Sequence, residues 1–262
     1  MAEQPPNKGL GQHFLTDRNI LGAIADAVDV GADDTVIEVG PGSGSLTFVL
    51  AERARHVVAL ELDGGLVELL KGRVPDNVEV HHTDARRVEP SALLGGCGPY
   101  KLLGNLPYYA ALPILRAFLE SDCPPTAAAV LVQREVAQQM CAAPGDMSMV
   151  SLAVQLFGTP RIARTVRPGS FNPRPKVTSS VVAIDLFDAP AEGVTDTSAF
   201  FGLARAGFSA PRKQLRNSLA HGLGIPPADA EAMLEGADID PKRRAETLSV
   251  AEWAALLRAA GS

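Results

Sequence analysis

Short apolar runs rich in β-branched residues alternate along the chain with stretches whose apolar positions recur at helical spacing. TVIEV (35–39), HVVALEL (56–62), VEVHH (78–82), YKLLG (100–104), AAAVLVQ (127–133) and SSVVAIDL (179–186) predict strands. LTFVLAERA (46–54), GLVELLKGRV (65–74), LPILRAFLES (112–121) and MVSLAVQLFG (149–158) predict helices between them. An amphipathic helix over 17–30 precedes the first strand, with Asp17 as its N-cap. This alternation predicts an α/β fold: a mostly parallel sheet covered on both faces. After Leu186 the pattern changes. DAPAEGVTD (188–196) is polar and holds Pro and Gly, as a linker would. Only helical patterns follow: AFFGLARAGF, KQLRNSLAHGL, PADAEAMLEG and SVAEWAALLRAA. The expected domains are therefore 1–187, built on the sheet, and 188–262, small and all-helical.

Composition narrows the classes. A chain of 262 residues suits one large domain, or one with a small companion. Its first residues, MAEQPPNKGLGQHFL, show no apolar core of a signal peptide, and no run approaches the roughly 18–20 apolar residues of a membrane span. Cys97, Cys123 and Cys141 form no CxxC pair and have no His close by. Packing roles, a reducing cytoplasmic setting and no metal site are expected. The net charge of −6 speaks weakly against nucleic acid, but its distribution does not. Arg161, Arg164, Arg167, Arg174 and Lys176 occur in a stretch without an acid, as do Arg205, Arg212, Lys213 and Arg216. Such stretches make local phosphate-attracting faces, or merely solvated ones.

The first strand runs into EVGPGSGSLT, which places Gly40, Gly42 and Gly44 at a strand-to-helix turn. Open α/β sheets bind ligands at that edge. The dinucleotide pattern G-x-G-x-x-G fails at Ser45, and Glu38 would repel a pyrophosphate. A cationic or zwitterionic ligand suits the loop better, and S-adenosylmethionine carries both a sulfonium and an amino group. Glu61 ends the second strand 21 residues after Gly40, where a carboxylate takes ribose hydroxyls. Asp84 ends the third and is placed to accept from an adenine amine. Each residue alone also reads as a cap or turn; three aligned strand ends point to an S-adenosylmethionine fold.

The fourth strand ends in GNLPYYA (104–110). An exocyclic amine conjugated with its ring is a poor nucleophile. The Asn105 side-chain oxygen and the carbonyl of Leu106 or Pro107 offer two acceptors to hold it with a lone pair toward a methyl group. Pro107 stiffens the turn. Tyr108 offers a face for base stacking, worth roughly 1–3 kcal/mol. An ordinary turn with packed tyrosines is the plainer alternative.

With NLPY after EVGPGSGSLT, the chain resembles the ribosomal RNA adenine dimethyltransferases of the bacterial KsgA type. KGLGQHFLTD (8–17), VQREVAQQM (132–140), SLAVQLFG (151–158), FNPRPKVTSSVV (171–182) and RKQLRNSL (212–219) extend the resemblance over nearly the whole chain. It implies a Rossmann-like class I methyltransferase domain followed by a helical RNA-binding domain. It also implies dimethylation of two adjacent adenosines near the 3′ end of small-subunit ribosomal RNA, on immature subunits. Carried over by position, His13, Leu15, Gly40, Glu61, Asp84 and Asn105 would contact the cofactor, although many members have Asn where this chain has His13. Phe171 would stack on the target base opposite Tyr108, and the two basic stretches would take phosphates. The alternatives are a large-subunit adenine methyltransferase of the macrolide-resistance type and a protein acting mainly as a subunit-assembly checkpoint.

Overall fold

The computed structural model describes residues 13–107 and 110–261. The chain forms two compact units, one of residues 1–137 with 160–186 and the other of residues 138–159 with 187–262. The second unit thus takes up a mid-chain segment as well as the C-terminal helices.

In the first unit the strands are β1 (Phe14–Leu15), β2 (Thr35–Val39), β3 (His56–Glu61), β4 (Val78–His82), β5 (Lys101–Asn105), β6 (Ala127–Gln133), β7 (Gly158–Val166), β8 (Phe171–Asn172) and β9 (Ser179–Leu186). The main sheet has the order β4-β3-β2-β5-β6-β9-β7, and β1 pairs with β8 alone. Pairings from β4 through β6 are parallel, and β9 runs antiparallel to β6. The strands inside the sheet are apolar on both faces because helices cover both: Ile37, Val58, Ala59, Leu103 and Val130 are fully buried. These strands lie within a residue of where the apolar runs predict them.

The helices here are α1 (Arg18–Asp26), α2 (Ser45–Ala51), α3 (Gly64–Lys71), α4 (Pro90–Leu94) and α5 (Ala111–Leu119), with α6 (Arg134–Met140) at the junction with the second unit. Asp17 caps α1 by accepting from the Asn19 N–H, as expected, and the helix buries Ile20, Leu21, Ile24 and Ala25. It stops at Asp26, short of the predicted 30, and the chain turns through Asp29 at φ 50°.

Three strands were not expected. β1 and β8 are two residues each, too short to show a period. β7 is a nine-residue edge strand, exposed from Arg161 to Thr165. Its pattern is polar, and Pro160 and its arginines are the residues that keep a free edge from pairing further.

The second unit contains α7 (Met149–Gln155), α8 (Thr197–Gly207), α9 (Leu215–Leu223), α10 (Pro227–Gly236) and α11 (Val250–Ala260). Trp253 of α11 is fully buried and stacks on Phe208 at 5.8 Å between ring centroids. A Cβ on Gly222 would lie 2.5 Å from the Ala206 Cα, so glycine there lets α8 and α9 touch backbone to backbone. The mid-chain segment is tied in by Gly145 and Met147, whose N–H groups donate to the Glu246 carbonyl. Ser249 and Glu252 form a capping box at α11, and Glu252 also pairs with Arg243.

Candidate active site

The parallel strands place four C-terminal ends along one edge of the first unit. β2 lies between β3 and β5, the point where the strand order reverses and where ligands enter such sheets. A cleft opens here, lined among others by Gly40, Gly42, Glu61, Asp84, Asn105 and Leu106. Smaller and contiguous, a second cleft shares Phe14, Gly40 and Asn105 with it and adds Leu15, Glu38, Ser43 and Leu46.

Gly40, Gly42 and Gly44 all have positive φ. At Gly42 the need for glycine is double. Its φ of 57° disfavours a side chain, and a Cβ would lie 2.8 Å from the Phe14 ring. The Gly42 N–H donates to Glu61 Oε2 at 3.0 Å. Glu61 Oε1 accepts from the N–H groups of Leu62 and Asp63 at 2.8 and 2.9 Å. This carboxylate therefore pins the glycine loop to the end of β3. A carboxylate offers about four acceptor positions, so Oε2 keeps one for a hydroxyl in the cleft.

Asp84 caps the short 3-10 turn Ala85–Arg87, and its carboxylate is gripped by Arg86 through Nε at 2.9 Å and Nη2 at 2.6 Å. The Arg86 side chain holds the Asp84 carboxyl below the usual carboxylate range, against the opposing effect of burial. The sequence did not signal this pairing. An adenine amine reaching Asp84 would share it with Arg86.

Asn105 ends β5, and its Nδ2 donates to the His13 carbonyl at 2.9 Å. That bond orients the amide, leaving Oδ1 as its acceptor. His13 is anchored in turn by Nδ1, which donates to the Pro173 carbonyl at 2.8 Å. Leu106 is buried, and the Pro107 carbonyl already accepts the Ala110 N–H at 2.9 Å. Tyr108, with Tyr109, lies outside the described residues.

The remaining expected residues divide. Leu15 is buried and lines the second cleft. Phe171 is 5 % exposed, pairs with Leu15 across β1–β8 and belongs to the hydrophobic core; it is not among the described residues lining either cleft. Arg164, Arg167, Arg174 and Lys176 are exposed on the first unit, and Arg205, Arg212 and Lys213 on the second. Arg161 and Arg216 have structural partners. Arg161 donates to the Ala27 carbonyl at 2.7 Å, and Arg216 pairs with Glu231 at 3.0 Å.

Glu38 stands near the end of β2, two residues before Gly40. It is 1 % exposed, and its Oε2 has no hydrogen-bond partner among the described residues. Burial pushes its carboxyl up to about 8; the nearby Thr47 hydroxyl opposes this and the Glu61 charge adds to it. The folded state thus keeps a proton that the unfolded chain loses near the ordinary value of 4.5. Between these values the unfolded state binds fewer protons, so stability falls as pH rises. Glu38→Gln cannot ionise and is expected to be more stable than the wild type by on the order of 3 kcal/mol near pH 7. The gap should close below about pH 4.5. Urea denaturation of both proteins at acid and neutral pH checks this; an equal gap at both would refute it.

The clefts fit S-adenosylmethionine. Leu62, Ala85 and Ile114 offer apolar faces to a flat base, and Glu61 and Asp84 offer acceptors to hydroxyls and an amine. His13 and Arg86 are the basic residues among the described lining, and Arg86 is committed to Asp84, so a pyrophosphate would meet mainly carboxylates. Among the described residues no group of His, Cys, Asp and Glu is arranged to hold a metal ion. No described helix is long and apolar enough to cross a membrane.

Comparison with known proteins agrees with this chemistry. Residues 4–260 match the family described as ribosomal RNA adenine dimethylase. A protein of Dehalococcoides mccartyi (strain CBDB1) named ribosomal RNA small subunit methyltransferase A is 46 % identical over 249 residues, covering 94 % of this chain and 85 % of that one. One of the same name from Alkaliphilus metalliredigens is 40 % identical over 260 residues, covering 96 % and 91 %. Among solved structures, a dimethyladenosine transferase from Plasmodium falciparum shares the fold with a TM-score of 0.79 at 24 % identity, covering 93 % and 96 %. The 23S rRNA methyltransferase ErmE superposes with a TM-score of 0.70 at 25 % identity, covering 95 % and 100 %. The chain belongs to the ribosomal RNA adenine dimethylase family, and its methyl donor is S-adenosylmethionine.

Proposed function

We propose that this enzyme dimethylates the N6 amines of two adjacent adenosines near the 3′ end of small-subunit ribosomal RNA, acting on immature subunits. The observation that carries the reading is the Asn105 amide. Its Nδ2 is spent on the His13 carbonyl, which leaves Oδ1 to accept from an amine in the cleft. The Leu106 carbonyl supplies the second acceptor, because that of Pro107 already closes the turn to Ala110. Holding both N–H groups fixes the lone pair of a weakly nucleophilic amine in line with the methyl group. The bound cofactor supplies that methyl already activated on a sulfonium. Positioning therefore contributes most of the rate, and the chain needs no strong base.

Tyr108 provides the ring on which the target base rests once it has left its stack. In our reading Gly40, Gly42 and Gly44 let the backbone approach the cofactor, Glu61 takes a ribose hydroxyl, Asp84 takes the adenine amine, and His13 and Leu15 close the site from the N-terminal side. Phe171 supports β1 from the core, and a part in stacking would require its ring to leave that position. The exposed arginines and lysines of the two basic stretches contact phosphates, with Arg161 and Arg216 secondary because of their internal bonds.

The 46 % identity over 249 residues to a protein named ribosomal RNA small subunit methyltransferase A favours the small subunit as substrate. Purified small and large subunits, offered side by side with labelled cofactor, test that preference. Label confined to the small subunit is expected; label in the large subunit would reassign the substrate.

A further inference from the structure

We propose that Cys97 and Cys123 form a modification site: a reversible disulfide, made by exchange with a small-molecule disulfide, that staples the start of β5 to the start of β6. The site lies outside the cleft and does not depend on the reaction assigned to it.

The chain path brings the two residues together. β5 and β6 are parallel neighbours, with Lys101 in register with Ala127. Each cysteine stands four residues before its registered residue (101 − 97 and 127 − 123). Gly98 precedes Pro99, and Cys123 and Pro124 each precede a proline, so both lead-ins are biased to extended backbone. Neighbouring strands run about 4.8 Å apart, inside the roughly 4.4–6.8 Å between Cα atoms that a disulfide needs. Hydrogen bonds hold the lead-ins side by side. The Tyr100 carbonyl accepts from the Thr126 N–H at 2.8 Å and from the Thr126 hydroxyl at 3.1 Å. The Tyr100 hydroxyl donates to the Cys123 carbonyl at 2.9 Å.

The thiols act on each other directly. Burial raises the Cys123 thiol above its ordinary value, and a hydrogen bond with the Cys97 thiol and the charge there raise it further. Both sulfurs also act on the buried Tyr100 hydroxyl, which burial pushes up and the charges of Cys123 and Cys97 push higher.

Both cysteines are free, and their settings suit different steps. Cys97 is exposed, as a packing residue would not be. Gly95, Gly96 and Gly98 surround it, and nothing lies within 4 Å of a Cβ built on any of them. This pliable, open loop lets the Cys97 sulfur reach bonding distance without moving the sheet. Cys123 is buried and fixed by the prolines after it. Cys97 as thiolate attacks one sulfur of the small disulfide, and one small thiol leaves with the bonding pair. Cys123 then gives its proton to solvent and attacks the Cys97 sulfur, expelling the second small thiol. Two protein thiols are oxidised by two electrons, and the small disulfide is reduced to two thiols. The new bond closes residues 97–123 into a ring that holds all of β5 and α5, Asn105 included. It sits at the end of β5 away from Asn105, so it restrains unfolding of that segment and leaves the cleft as it is.

The test treats the whole protein, dilute and folded, with oxidised glutathione. Free thiols are then alkylated, and the peptides are mapped by mass spectrometry without reduction. We expect a Cys97–Cys123 link that dithiothreitol reverses. The linked protein should unfold at a urea concentration about 1 M above that of its reduced form. Cys97→Ser, at an exposed position, should show no link and the same urea midpoint with and without oxidant. Glutathione retained on Cys97 beside a free Cys123 would overturn the proposal. So would a Cys97–Cys97 bond between two copies, or both thiols still open to alkylation. A link that leaves the urea midpoint unchanged or lower would overturn its role as a staple.

Discussion

Asn105→Ala is expected to reduce methyl transfer by about 10²-fold or more while the protein stays folded. The substitution removes Oδ1, our proposed acceptor for the target amine, and Nδ2, which holds the His13 carbonyl at 2.9 Å. The first loss frees the amine to rotate its lone pair away from the methyl group. The second loosens the segment that closes the cleft. The stability cost is that of one partly buried hydrogen bond, roughly 1 kcal/mol. Asn105→Asp separates the two effects, since it keeps an oxygen acceptor and removes the N–H donor. Single-turnover methyl transfer and urea denaturation of both variants decide the matter. Activity within a few fold of wild type in Asn105→Ala would mean that the amine is held elsewhere.

Gly104→Ala is expected to cost roughly 3 kcal/mol or more, an unusual penalty for one methyl group. Gly104 lies in β5 opposite Val39 of β2, and an added Cβ would sit 2.4 Å from the Val39 carbonyl oxygen. That atom is backbone in the middle of a parallel sheet, so it cannot swing aside as a side-chain tip would. The strands must part, and they part between Gly40 and Asn105, the two residues they carry into the cleft. Methyl transfer should therefore fall by more than the loss of folded protein explains. Gly72→Ala is the control. Gly72 has φ −82°, and nothing lies within 4 Å of its added Cβ. Comparable unfolding midpoints for the two variants would refute the close-approach argument.

β2, β3 and β5 were legible because each is largely buried on both faces and so reads as a mostly apolar run bounded by turn residues, whereas β4, at the sheet edge and partly exposed, was read from its β-branched alternation alone. Their order was not, since apolar runs do not encode which strand lies beside which. β7 escaped notice because an exposed edge strand has no apolar period, and its arginines read as a charge run. Within the cleft, the glycines and the carboxylates at strand ends were visible as types at positions. What they bond to depends on residues brought from elsewhere in the chain. Glu61 holds the Gly42 N–H as well as its own loop, Asn105 holds the segment at His13, and Arg86 holds Asp84. Phe171 shows the limit most clearly. The family resemblance made it a base-stacking aromatic, and it is packed in the core where β8 pairs with β1. Burial of Glu38 without a partner could not be read from EVG, because the same three letters end a strand whether or not a donor stands opposite.

The most direct test of the account is methyl transfer from labelled S-adenosylmethionine to small ribosomal subunits that lack these methyl groups, followed by mass spectrometry of the RNA fragments. The account predicts two adjacent N6,N6-dimethyladenosines near the 3′ end, formed far more slowly when Asn105→Ala replaces the wild type. Label at any other nucleotide, or no label on subunits that the protein binds tightly, would contradict it.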